Sequence, residues 1–153
     1  MSETLEIISS LYLPVSNAKL LLPNVTVAEV VAYQEPKTKK GAPDYFLGTV
    51  AWRGIEIPLL SYEIANGAKS VKPSKDARIA VINTIGEHSE KLPFFAIVTQ
   101  GIPRLVKVSD ELIKKSRKKG GDADLMLVRL DGEDAVIPNV THLESLLLPL
   151  LPA

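Results

Sequence analysis

Phe46-Leu47-Gly48-Thr49-Val50-Ala51-Trp52-Arg53-Gly54-Ile55-Glu56-Ile57-Pro58-Leu59-Leu60 sets the fold class. Two apolar runs of strand length, Phe46 to Trp52 and Ile55 to Leu60, are separated only by Arg53-Gly54. Glycine at the second position of a two-residue turn relieves the backbone where φ is positive, so the stretch reads as a β-hairpin. The second run passes into Pro58, which cannot donate to a ladder and suits the edge or end of a strand.

The same pattern recurs near the other end. Leu125 to Leu130 is followed by Asp131-Gly132, a strong hairpin turn, and then by Ala135 to Ile137 and Pro138. Between these hairpins and outside them lie further short apolar runs: Leu11 to Leu13, Lys19 to Leu22, Val27 to Tyr33, Arg78 to Thr84, Phe94 to Thr99 and Arg104 to Val108. Many short strands, punctuated by 11 prolines and 9 glycines, predict a barrel or sandwich rather than a helical bundle. Short helices are expected at Ser61 to Ala65 and Thr141 to Leu148.

Pro-Asn-Val-Thr-x-x-Glu occurs twice, at Pro23 to Glu29 and at Pro138 to Glu144. Thr followed three residues later by Glu is a capping box, so a capped turn is expected at each place. The echo fits two similar β subdomains; it fits equally the reuse of one junction chemistry. Gln34 to Pro43, Asn66 to Asp76 and Lys114 to Asp124 read as polar loops, the second joining the two halves of the chain.

The 153 residues, 46% of them hydrophobic, suffice for one domain or two small subdomains sharing a core. Lys+Arg and Asp+Glu balance at 18 each, without the basic excess that binding to nucleic acid or an anionic membrane usually needs. There is no cysteine, which removes disulfides, thiolate metal sites and thiol nucleophiles. Met1 to Ser10 lacks the basic start and apolar run of a signal peptide, and no apolar stretch reaches the roughly 18 residues of a membrane span. A cytoplasmic protein with no direct membrane insertion is expected.

A search for catalytic chemistry is mostly negative. His88 and His142 are far apart, and His142 with Glu144 lacks zinc-ligand spacing. No nucleophile elbow, phosphate-binding loop or dinucleotide fingerprint is present. Asp131, Glu133 and Asp134 sit at a hairpin turn, where solvated charge is ordinary. The run Lys114, Lys115, Arg117, Lys118 and Lys119 has no interleaved aromatics to stack bases, so it reads as a solvated segment. Neither a catalytic residue, nor a cofactor, nor a metal site is expected. What remains is binding. Val27, Val30 and Val31 lie on one strand, and Trp52 and Arg53 belong to residue types enriched at interface hot spots. Trp52 also reads as a packing residue, and Arg53 as a turn charge.

The order of segments resembles the CheW-like family. It carries Leu22-Pro23, then Val27-Ala28-Glu29-Val30-Val31, then Ala42-Pro43-Asp44-Tyr45-Phe46-Leu47-Gly48, Trp52-Arg53-Gly54 and Ile57-Pro58-Leu59-Leu60, followed by the strands at Arg78 to Asn83 and Phe94 to Thr99 and the hairpin at Arg129 to Gly132. Ala51 stands where members commonly have Asn, and Ser61 where they often have Asp. The C-terminal Ile137-Pro138-Asn139-Val140 also departs from their usual apolar residues followed by Asp-Leu. Gln100-Gly101-Ile102-Pro103-Arg104, with Trp52-Arg53-Gly54, looks most like the ChpC branch of clusters associated with type IV pili and twitching.

The resemblance implies a mostly β fold of two five-stranded, SH3-like barrel subdomains about a shared core. It covers residues 11–148 as one domain, with approximate subdomains 23–76 and 77–137 and terminal segments able to cross between them. It implies a non-catalytic scaffold for chemotaxis signal transduction. The implied partners are the cytoplasmic tip of a methyl-accepting chemoreceptor and the regulatory domain of a CheA-type histidine kinase. By position, Val27, Val30 and Arg53 fall near the receptor groove, while Glu29 and Trp52 are further interface candidates; no residue is assigned to the kinase surface. Three other readings stay open: an unrelated β-barrel interaction module, an enzyme with a dispersed site, and a divergent CheW-like protein that binds only one partner.

Overall fold

The computed structural model describes residues 7–16 and 18–151. The first six residues of the expected leader-free N-terminus lie outside the described residues. Eleven strands and two short α-helices follow in chain order: β1 (Ile7–Val15), β2 (Ala18–Pro23), β3 (Val27–Ala32), β4 (Phe46–Trp52), β5 (Ile55–Leu60), α1 (Tyr62–Ala65), β6 (Arg78–Asn83), β7 (Phe94–Thr99), β8 (Arg104–Ser109), β9 (Ile113–Lys115), β10 (Asp124–Leu130), β11 (Glu133–Pro138) and α2 (Val140–Leu147).

Both expected hairpins form. Arg53 and Gly54 have φ of 47° and 80°, and Asp131 and Gly132 have 49° and 82°, the paired positive values of a two-residue turn whose twist matches its strands. Pro58 lies in the part of β5 that pairs with β4 alone, because the parallel pairing of β5 with β7 begins at Leu59. Its missing N–H therefore breaks no ladder.

The strands form a five-stranded sheet, β3-β6-β7-β5-β4, and a six-stranded sheet, β8-β1-β2-β11-β10-β9. The sheets do not divide at the expected boundary between residues 76 and 77. β6 and β7 belong with β3, β4 and β5, so the polar loop after α1 connects elements of one sheet instead of joining the halves. The other sheet combines the two N-terminal strands with the four from residue 104 onward. The physical reason is burial. β6 and β7 read as unbroken apolar runs, Ile79 to Ile82 and Phe95 to Val98, and such runs belong at the centre of a sheet covered on both faces.

Three apolar clusters account for that burial. One lies within the five-stranded sheet and holds Val50, Trp52, Ile57, Ile79, Val81 and Val98. A second lies within the six-stranded sheet around Tyr12, Leu21, Val128, Leu130 and Ala135. The third lies between the sheets and takes Leu13, Leu20, Ala80, Ile82, Phe95 and Ile97, together with Leu143 and Leu147 of α2. Along β6, Ile79 and Val81 face one cluster while Ala80 and Ile82 face the other, the two-residue alternation of a strand.

A main-chain bridge joins the edges of the five-stranded sheet. The Lys37 N–H donates to the Thr49 carbonyl at 2.8 Å, and the Thr49 N–H donates back at 3.0 Å, drawing the segment after β3 onto β4. Gly48 permits this approach: its φ is +136°, and a Cβ there would stand 2.2 Å from the Lys37 carbonyl oxygen. A polar clasp ties the sheets together near α1. The Tyr62 hydroxyl donates to Asp124, the Gly121 N–H donates to the same carboxylate at 2.8 Å, and the Ala123 N–H donates to Asn66 Oδ1 at 2.9 Å. Burial, then the bond to Asp124, pushes the Tyr62 phenol far above its ordinary value, so it stays a donor.

Gly48→Ala is expected to lower unfolding free energy by about 2 kcal/mol or more, through strained φ and the displaced Lys37 strand. Urea denaturation of the two proteins measures it; an unchanged midpoint and slope would show that the bridge is dispensable.

Candidate functional site

β3 is an edge of the five-stranded sheet and β8 is an edge of the six-stranded sheet. Their side-chain directions follow from register. Val27 pairs with Ile82 and Val30 with Ala80, both members of the inter-sheet cluster, so the two valines turn toward the seam between sheets, half-buried against its core. A register shift between Val27 and Glu29 makes Ala28 the extra residue, a β-bulge that re-aims the strand. Glu29 consequently pairs with Val81 and faces the other side, toward the cluster within its own sheet.

On that side Glu29 meets the β4–β5 turn. Its Oε1 accepts from Trp52 Nε1 at 2.9 Å and lies 3.3 Å from an Arg53 guanidinium nitrogen. The Arg53 guanidinium stacks 4.7 Å above the Trp52 ring, and Phe94 packs against that ring at 4.8 Å between centroids. Trp52 is only 7% exposed, so it is a packing residue that reaches the surface through Arg53. The Arg53 side chain remains 64% exposed. One carboxylate thus satisfies the indole and orients an accessible guanidinium with a fixed stacking plane.

The first expected capping box does not form. Residues 24–26 make a single 3-10 turn without a side-chain cap, and Glu29 is already on β3, committed to Trp52 and Arg53. In the second copy Asn139 caps α2, accepting from the His142 N–H at 3.0 Å, while Glu144 is buried within the helix. Burial raises the Glu144 carboxyl above its ordinary value, with His88 opposing. The echo is a shared junction sequence with two different structures. Lys114 and Lys115, expected in a loop, lie on the edge strand β9. Among the described residues, His88, His142 and the carboxylates form no group able to hold a metal ion, and no helix is long and apolar enough to cross a membrane.

Sequence reading missed one residue of the seam. Leu105 on β8 pairs with Leu11, which packs against the inter-sheet cluster, so Leu105 turns to the same face. It is 73% exposed. The signal was present as an apolar residue in a predicted strand, but its exposure depends on β8 being an edge. Val27 and Val30 of β3 and Leu11 of β1 pack against the inter-sheet cluster, Leu105 carries the Leu11 face outward onto the edge strand β8, and the Glu29–Arg53 pair lies on the opposite face of β3.

The model of the CheW-like domain matches residues 10–146. The chain belongs to the CheW-like domain family. Its members are non-catalytic scaffold proteins, and this chain is a CheW-like scaffold, not an enzyme. The scaffolding protein TtCheW from Thermoanaerobacter tengcongensis has a similar structure, with a TM-score of 0.73 over 88% of this chain and 90% of that one. Their 16% identity makes this a likeness of fold. No curated protein matches the chain. The CheW-like fold accounts for the two sheets about a shared core, here of six and five strands where the sequence reading expected five in each.

Glu29→Ala is expected to free Arg53, leave the indole N–H without its acceptor and cost about 1 kcal/mol, since the site is partly solvated. Trp52 is the only tryptophan, so its emission reports the change directly. Glu29→Gln should retain the indole bond and most of the native emission; emission unchanged in both variants would contradict the assigned contact.

Proposed function

We propose that this protein couples the cytoplasmic tip of a chemoreceptor to the regulatory domain of a CheA-type histidine kinase, within a cytoplasmic chemosensory pathway. The observation that carries the reading is the pair of half-buried valines, Val27 and Val30, that edge strand β3 turns toward the core between the sheets. A receptor tip is a helical hairpin. Helices docking in a groove place apolar anchors at successive turns, and the half-buried Val27, Val30 and Leu11 at the margin of the inter-sheet core suit that mode, with exposed Leu105 on the neighbouring edge strand. Arg53, on the other face of β3, offers a separate accessible fork of donors for a carboxylate or carbonyl of the same partner.

Coupling needs no chemistry in the scaffold. A protein that contacts both partners makes the state of each change the affinity of the other, and the effect is reciprocal. Family membership supports the pair of partners in general. The finer assignment to the ChpC branch, and to type IV pili and twitching, rests on Gln100 to Arg104 taken with Trp52-Arg53-Gly54. Of the departures from the family pattern, Ser61 has a local explanation: its side chain accepts from the Ile64 N–H and caps α1, which an Asp there would also do. Ser61 therefore gives no reason to assign the chain only one partner.

Val30→Asp and Leu105→Asp are each expected to weaken binding of a receptor tip about tenfold or more, since a charge is placed in an apolar contact. Arg53→Ala should weaken it less. Calorimetric titration of folded variants against the tip measures this. A folded Val30→Asp protein with native receptor affinity would remove the seam from consideration.

A further inference from the structure

The Glu of the second Pro-Asn-Val-Thr-x-x-Glu copy is left without the capping role its spacing suggests. Val140, Leu143, Glu144 and Leu147 recur at the spacing of one helix face, and that face of α2 is turned to the core between the sheets. Leu143 and Leu147 are fully buried there, and Val140 packs beside them. Glu144, 3% exposed, is the one charged residue on that face.

Its head opens on a hollow of about 350 Å³, where β2, β10, β11 and the first turn of α2 meet the loop after β6. Leu22, Ile85, Leu125, Ile137 and Val140 contribute apolar walls. Ile85 and Leu125 are 67% and 63% exposed. Val25, 72% exposed, lies alongside, since Asn83 of the lining donates to the Val25 carbonyl at 3.3 Å. Exposed apolar side chains thus gather round one buried carboxyl.

That carboxyl has no partner. Among the described residues it accepts no hydrogen bond and forms no ion pair. No lysine, arginine or histidine lines the hollow. His88 acts on Glu144 from a distance, but its own ion contact is with Glu87 at 3.7 Å. Nor is the carboxyl sealed away. Among the described residues, the bondless side-chain oxygens shut off from solvent belong to Tyr12, Glu63 and Thr84; neither oxygen of Glu144 is one of them, and Glu144 lines the hollow. A carboxylate held in an apolar wall without a counter-charge is costly, and burial accordingly holds Glu144 above the ordinary carboxylate range.

We propose that this hollow receives an arginine side chain of a partner protein, its guanidinium forked onto the two Glu144 oxygens and its apolar neighbours laid over Ile85 and Leu125. The choice of occupant follows from the lining. The only charge there is negative, so the entering tip is positive. Two unpartnered oxygens match the parallel donors of a guanidinium, which sheds water more readily than an ammonium does. Apolar walls suit the methylene stem and the apolar residues beside it. Leu11, Val30, Arg53 and Leu105 line no part of the hollow, so the site is separate from the receptor surface and does not rest on that reading.

Amide chemical-shift titration of the full chain tests this with three blocked tripeptides: leucine-arginine-leucine, leucine-lysine-leucine and leucine-citrulline-leucine. Citrulline keeps the shape of arginine without its charge. The arginine peptide is expected to give saturable shifts at Ile85, Leu125, Thr141 and Glu144. The citrulline peptide should bind about tenfold more weakly, the scale of a lost charge-assisted pair, and the lysine peptide should fall between. Glu144→Gln should weaken the arginine peptide about tenfold and leave the citrulline peptide unchanged. It keeps the shape and removes an unpaired buried charge, so the variant is expected to fold at least as stably. Ile85→Ser, on an exposed loop, should weaken all three peptides alike, and it keeps the test valid if Glu144→Gln fails to fold. Absence of saturable shifts with the arginine peptide, equal binding of the citrulline or lysine peptide, or native arginine-peptide affinity in folded Glu144→Gln would overturn the proposal. Receptor-tip affinity should be unchanged in Glu144→Gln; a fall there would place the hollow within the receptor surface and overturn it as a separate site.

Discussion

The central strands of this protein are buried on both faces, and the remaining architecture depends on that. β6 and β7 send alternate side chains into the cluster within their own sheet and into the cluster between sheets. β1 does the same from the other side, with Tyr12 inward and Leu13 toward the seam. Neither sheet can move away without exposing one face of these strands, so the relative position of the two sheets is fixed by the hydrophobic effect acting on shared elements. The Tyr62–Asp124 clasp adds a directional contact at one margin. For a scaffold, this rigidity is useful, because a binding event on one side is transmitted to the other only through an element that does not absorb it.

Much of this was legible in the sequence for identifiable reasons. The two-residue turns at Arg53-Gly54 and Asp131-Gly132 impose positive φ, which a glycine at the second position announces. The short helix expected over Ser61 to Ala65 forms at Tyr62–Ala65, where the Ser61 side chain caps it. The limits are equally physical. Capping-box spacing at Thr26 and Glu29 was matched by residues that instead enter a strand, since Glu29 gains an indole and a guanidinium as partners. The sheet boundary was misplaced because a polar loop after α1 resembles a linker, while the pairing of β2 with β11 is decided by contacts between residues more than a hundred positions apart. Nothing local announces such a pairing.

The candidate site was legible in part. Val27, Val30 and Arg53 came from family resemblance, and the fold puts the valines on the seam and Arg53 on the other face of β3. The bulge at Ala28 makes that division, because one inserted residue turns Glu29 toward Trp52 while Val30 returns to the seam. Leu105 could not be recognised from sequence, since edge position is a property of the whole sheet.

The most direct test of the coupling role is the affinity of the receptor tip for this protein, measured by calorimetry with the kinase regulatory domain absent and then at saturation. A ternary complex, in which the tip binds the preformed scaffold–kinase pair at its own site, is the predicted result. Competition between the two partners for one surface, or binding of neither by the folded protein, would contradict it.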